Sequence, residues 1–200
     1  ISVPVSVNVS RVDMFDEKLV SIFKELLEKY DLQPDELLLE ITESAYTDDA
    51  EFIISAVNDL RSLGLQVEMD DFGTGYSSLG MISRLPIDAL KLDMMFVRNA
   101  FGGHRDVRML ELIIDIADYL SVPVIAEGVE TQEQMNALKA MGCDIVQGYY
   151  FSKPVPPQEF VHFIEEKKNS LGTVAKQEEE TYMHLSTAMS SGFESMYYVD

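Results

Sequence analysis

Two hundred residues, 46% hydrophobic and 25% charged, suffice for one substantial core with little left over. The 35 acidic against 15 basic side chains give a formal net charge of −20, which excludes a broad basic surface for duplex nucleic acid. One cysteine, Cys143, and three scattered histidines (His104, His162, His184) exclude an internal disulfide and a Cys-based zinc cluster, so a metal here is expected to take oxygen ligands and to be Mg, Mn or Ca.

Hydrophobic periodicity changes repeatedly along the chain. Val3–Val9 alternates as a strand, and between Asp16 and Tyr30 the side chains Leu19, Ile22, Phe23, Leu26 and Leu27 share one helical face. Leu37–Ile41 reads as a buried strand, and Asp49–Leu63 as a helix through Phe52, Ile53, Ala56, Val57 and Leu60, stopped by Gly64. Leu65–Met69 is a strand expected to end at Asp70-Asp71, because neighbouring strand residues point to opposite faces and two adjacent carboxylates converge where a strand stops. A short helix is predicted over Ser77–Leu85, ended by Pro86, then a strand over Ala89–Asp93 and a helix over Val107–Leu120. Val122–Glu127 is a strand. Thr131 opens a helix with Gln134 as its capping-box partner, and Gly142 closes it. Asp144–Gln147 is a strand, and Pro157–Lys168 is the last helix of the series.

This alternation predicts a parallel sheet with helical crossovers. An open doubly wound sheet and an α/β barrel both fit it. The barrel is favoured because Asn8, Glu40, Asp70, Asp71, Lys91, Asp93, Glu127 and Gln147 all stand at or just after strand C-termini. Barrel chemistry draws on several strands at that face, whereas an open sheet concentrates it at one switch point.

Asn8, Glu40, Asp70, Asp71 and Glu127 are hard oxygen donors, and a bridging carboxylate can hold two ions roughly 3.5–4 Å apart for in-line phosphoryl chemistry. Lys91 is the one cation among them; it can neutralise phosphate, or position or deprotonate a metal-bound water. Gln147 can hydrogen-bond that water. Other polar residues have plainer readings. Glu68 is expected to be solvated or salt-bridged, Asp93 is divided between a structural pairing near Lys91 and a functional role, and Glu130 is expected to be structural. Cys143 is a small buried residue, and the 11 methionines are core filler.

Six stretches occur in one order: Val7–Ser10, Glu40–Ser44, Asp70–Leu79, Leu85–Asp93, Ala126–Thr131 and Gln147–Pro154. Together the chain resembles the EAL family of cyclic di-GMP phosphodiesterases. The resemblance implies a TIM-like (β/α)8 barrel, with about six of its eight strands present, that hydrolyses cyclic di-GMP to linear pGpG with two Mg²⁺ or Mn²⁺ ions. It implies Asn8 and Glu40 as ligands of the first metal, Asp70 as the bridging ligand and Asp71 as a ligand of the second. Glu127 is implied as a second-metal ligand or general base, Lys91 as the residue that contacts the catalytic water, and Gln147 as a support. Glu43 is implied to hold the loop Phe72–Ser78, which in the family couples the site to a dimer interface, so a homodimer is expected.

No Glu-Ala-Leu occurs in the sequence; the family's namesake glutamate, a metal ligand, and about two strands are expected upstream of Ile1. Residues 1–168 are read as an N-terminally truncated EAL domain, weak or inactive by itself. Residues 169–200 are read as a linker helix entering a PAS-like domain, with sensory or GGDEF domains in cis. No apolar run approaches the ~18–20 residues of a membrane span and no signal peptide is visible, so a cytoplasmic location is expected. The alternative function is a non-catalytic module that binds cyclic di-GMP and regulates.

Overall fold

The computed structural model describes residues 3–46, 49–73, 83–102 and 107–166. These divide at Phe151/Ser152 into two compact units.

In the first unit, six strands form one sheet: β1 (Val5–Asn8), β2 (Leu37–Thr42), β3 (Gln66–Phe72), β4 (Ala89–Leu92), β5 (Val124–Ala126) and β6 (Ile145–Val146). Their spatial order is their chain order, and every neighbouring pair is parallel. A doubly wound sheet reverses direction at a switch point. This one never does, and right-handed crossovers repeated in one direction curl it into part of a TIM-like barrel. Among the described residues β1 and β6 are the sheet edges. β1 is the more open of the two, with Val5 and Val7 53% and 38% exposed.

Among the described residues the crossover helices are α1 (Arg11–Met14) with α2 (Leu19–Tyr30), α3 (Ala50–Ser62), α4 (Met94–Phe101) with α5 (Val107–Leu120), and α6 (Gln132–Ala140). Strand periodicity sorts the apolar side chains into two cores. Leu39, Ile41, Val67, Met69, Leu90, Leu92, Val124 and Ala126 join Ile53, Val57, Leu60, Leu110, Ile114 and Leu138 of the helices in the larger one. Ala89, Ile125 and Ile145, from the alternate register of three adjacent strands, form a small separate layer on the inner face. An Arg61 fork to Asp88 (2.7 and 3.2 Å), whose carboxylate also accepts from Val67 N–H at 2.8 Å, ties α3 to β3 and β4.

Several boundaries differ from the sequence reading. α2 begins at Leu19 rather than near Asp16, because the Asp16 carboxylate accepts from Lys18 N–H (2.9 Å) and holds residues 16–18 in a turn. α4 was not expected. The strand before it stops at Leu92, and Asp93 caps α4 by accepting from Met95 N–H at 2.7 Å. The capping box predicted at Thr131 and Gln134 forms, and α5 spans the predicted residues. Most of the short helix expected over 77–85 lies outside the described residues. The second unit is helical over 157–166.

Candidate active site

Parallel strands present all their C-termini on one side. Asn8 of β1 is the register partner of Glu40 of β2, Glu40 is that of Glu68 of β3, and Thr42 is that of Asp70. Lys91 stands on β4. Glu127 and Gln147 follow β5 and β6 and continue their ladders, Glu127 N–H donating to Leu92 C=O (3.2 Å) and Gln147 N–H to Ala126 C=O (2.8 Å).

The two aspartates do not end β3. The strand runs on to Phe72, and its register against β4 slips between Met69 and Phe72, so that three steps on β3 match two on β4, from Leu90 to Leu92. This is a β-bulge, with Asp71 in the left-handed region at φ 56, a conformation that Asp tolerates better than most residues. Strict alternation would send Asp71 toward the helices. With the extra residue it lies within electrostatic reach of Asp70, Asp93, Lys91 and Glu40, and partial burial followed by the Asp70 and Asp93 charges raises its carboxyl pKa.

Lys91 is the centre of the cluster. It is 3% exposed, and its Nζ donates to Glu40 Oε1 and Glu127 Oε1 at 2.7 Å each, with Asp70 Oδ1 at 3.5 Å. Burial alone pushes an ammonium toward neutrality. The hydrogen bonds to Glu127 and Glu40 and the charges of Glu127 and Asp70 outweigh it and hold Lys91 above its ordinary pKa. Burial raises Glu127 as well, against the pull of Lys91. Asn8 and Gln147 are exposed at the two sheet edges. The structure thus brings Glu40, Asp70, Glu127 and Lys91 into contact, sets Asp71 beside them, and places Asn8 and Gln147 on the flanks.

Glu43 follows β2 in a short 3-10 turn, is 2% exposed, and accepts from Gly73 N–H at 2.8 Å. Gly73 has φ +92, and a Cβ there would overlap the Phe96 ring of α4. The end of β3 is therefore pinned between Glu43 and α4. The remainder of the predicted loop, residues 74–78, lies outside the described residues. Asp93 is committed to capping α4 rather than pairing with Lys91.

Of the two positions expected for Glu68, solvated or salt-bridged, the structure excludes the solvated one. Glu68 is 4% exposed, and burial pushes its carboxyl up to about 7, moderated by Lys91 and by a hydrogen bond from Ser6, while the charges of Glu40 and Asp70 push it further up. The signal was in the sequence: Val67 and Met69 are both core residues on the helix side, so period-2 alternation places Glu68 on the same face as Asp70.

Five carboxylates, Glu40, Glu68, Asp70, Asp71 and Glu127, thus surround one ammonium. That excess of hard anionic oxygen fits a divalent cation. Among the described residues no three acidic, histidine or cysteine side chains are already gathered around a common point suited to an ion; Lys91 Nζ stands between Glu40 and Glu127 instead.

A sequentially ordered parallel α/β sheet with carboxylates and one lysine at its C-terminal ends defines a barrel-type catalytic domain suited to anionic substrates. The chain belongs to the EAL domain family, whose model matches residues 1–154. It is 39% identical over 160 residues to the cyclic di-GMP phosphodiesterase NbdA of Pseudomonas aeruginosa and 37% identical over 163 residues to the signaling protein YkoW of Bacillus subtilis, covering 80% and 82% of this chain. It spans 20% of the length of each. The solved PaMucR phosphodiesterase in complex with c-di-GMP superposes with a TM-score of 0.75 at 33% identity, over 78% of this chain and 64% of that one. Phosphodiesterases of this family are metal-dependent. No helix among the described residues is long and apolar enough to cross a membrane.

Proposed function

We propose that this chain carries the hydrolytic site of a cyclic di-GMP phosphodiesterase, cleaving one phosphodiester to yield linear pGpG. The observation that carries the reading is the Lys91 ammonium held by Glu40 and Glu127 beside the Asp70-Asp71 bulge, in a family whose named relatives include phosphodiesterases. Asn8, Glu40, Asp70, Asp71 and Glu127 would hold two Mg²⁺ or Mn²⁺ ions, with Asp70 between them. Bound there, the ions would polarise the phosphate and acidify water.

The chain's own groups divide the remaining work. In hydrolysis the water oxygen bonds to phosphorus, the bond to the ribose O3′ breaks, and O3′ leaves with a proton. Lys91, kept protonated by its neighbours, is suited to orient that water or an anionic phosphoryl oxygen, and unsuited to deprotonate anything. As the alternative to its ligand role, Glu127, more basic than an ordinary carboxylate, suits the acceptor of the water's proton. Gln147 would hydrogen-bond the water, and Glu43 would keep the loop after β3 in its working shape through Gly73. We assign residues 1–168 to this domain, in a cytoplasmic homodimer with sensory or GGDEF domains in cis; the linker helix and PAS-like segment expected over 169–200 lie outside the described residues.

The test is incubation with cyclic di-GMP and Mg²⁺ or Mn²⁺, following pGpG by chromatography. Metal-dependent pGpG formation abolished by a chelator is expected. Tight binding without pGpG would overturn the enzymatic reading in favour of a regulatory binding module.

A further inference from the structure

Leu92 ends β4 as the register partner of Phe72 on one side and of Ala126 on the other. Asp93 then caps α4, so the helix springs from the strand that carries Lys91 with no loop between them. Residues two apart on an α-helix point about 200° from one another, so Met94 and Phe96 face opposite neighbours. Phe96 lays the edge of its ring against Gly73, two residues beyond Asp71. Met94 lies against Gly128, the residue after Glu127, where an added Cβ would stand 2.5 Å from Met94 Cβ and 3.2 Å from Met94 Cα. Both glycines have left-handed φ, +92 and +73. The helix therefore meets bare backbone on each side, with no side chain there to give way. Arg98, one turn beyond Met94, adds an ion pair to Glu130 at 3.1 Å, but both groups are about half exposed and the tie is weak.

We infer that α4 is a strut that sets the distance between the loop after Asp71 and the loop after Glu127, on either side of Lys91, with Phe96 and Met94 as its positioning residues. Neither side chain has a charge or proton to give, so each acts only on where the three site-bearing segments stand. The helix cannot shift toward one glycine without leaving the other, so a displacement at one loop reaches the other through α4. A misplacement of about 1 Å at a reacting group can cost about 10²-fold in rate. As a statement about catalysis the inference rests on the phosphodiesterase reading above and deepens it. As a statement about coupling between the two loops it stands on packing alone.

Two measurements test it. The first reads amide hydrogen exchange at Gly73 N–H, which donates to Glu43 at 2.8 Å, relative to Val67 N–H in the core of the sheet, which donates to Asp88 at 2.8 Å. Gly128→Ala sets a Cβ against Met94 and is expected to speed exchange at Gly73, across the helix, at least about tenfold on that relative scale. In Phe96→Leu, which withdraws the ring edge from Gly73, adding Gly128→Ala should leave the relative rate within about twofold. If Gly128→Ala does not fold, Met94→Ile, which adds a methyl at the Cβ facing Gly128, makes the same measurement with a smaller push. An unchanged rate at Gly73, or the same response with and without Phe96, overturns the inference. The second measurement follows pGpG formation. Phe96→Leu should lower kcat about ten- to a hundredfold with KM within about threefold. Val57→Ala, a truncation in the core under α3, should keep kcat within about twofold. Equal losses in the two variants would show that Phe96 acts through stability alone and overturn the positioning role. Absence of pGpG from the unaltered protein overturns the phosphodiesterase reading, and the exchange rates then decide the strut by themselves.

Discussion

At Lys91, burial and charge act in opposite directions, and geometry decides between them. Two 2.7 Å hydrogen bonds to Glu40 and Glu127 keep the ammonium charged where burial alone would neutralise it. Lys91→Met therefore strands two half-buried carboxylates and should cost less than the about 3–5 kcal/mol of a fully buried broken pair in metal-free protein, read as a lower urea midpoint that Mn²⁺ partly restores. Asp70→Asn removes charge from the proposed bridging position while keeping its shape. Turnover should fall by at least about 10²-fold, a loss comparable to that of a single stabilising group at a reacting centre, and a near-normal rate in a steady-state assay would refute the bridging role. Glu68 governs a pH effect. Its folded pKa of about 7 lies above the ordinary 4.5 of a glutamate, so the folded chain holds this proton more tightly than the unfolded one. That contribution is present below about pH 4.5 and is lost as pH rises through about 7. Between those limits, metal-free stability should fall with rising pH more steeply in the unaltered protein than in Glu68→Gln, as urea titrations at a series of pH values would show.

At the scale of elements, β3 and α4 carry the parts that reading residues in order did not anticipate. The pairing of Asp70 with Asp71 correctly signals an irregularity in the strand. Whether a strand stops or bulges depends on the partner strand, and the slip appears only in the register against β4. α4 is faint in the sequence because eight residues after a strand carry a weak periodic signal; its capping aspartate, Asp93, looks there like a site or pairing residue. The helix matters because Phe96 packs against Gly73 at the end of β3, and Met94 against Gly128 directly after Glu127. Gly73→Ala imposes both a left-handed φ and a clash with the Phe96 ring. It should cost about 1–3 kcal/mol and lower kcat along with stability. Adding Phe96→Leu would relieve the clash but not the backbone strain, so recovery of the unfolding midpoint should be partial. Full recovery would show that packing alone sets the conformation of this turn.

For the whole molecule, the sheet order and the net charge of −20 set the expectations. Cation binding to the folded chain alone stabilises it by mass action, about 2.7 kcal/mol at a hundredfold excess over Kd. Mn²⁺ should therefore raise the Tm in a concentration-dependent way, measured by calorimetry at fixed ionic strength. An unchanged Tm at saturating Mn²⁺ would contradict a site formed on folding. The sequence by itself determined the alternation of strands and helices, the side of the sheet on which polar residues gather, and the family, because hydrophobic period and local motif are properties of neighbouring residues. Tertiary structure alone decided between a switch-point sheet and a curling one, since strand order is a relation between segments far apart in the chain. It also decided that Lys91 binds Glu40 and Glu127, 51 residues away in the first case, and that Glu68 is buried beneath them. Burial and charge pairing depend on which strands become neighbours, and that is settled only when the sheet assembles.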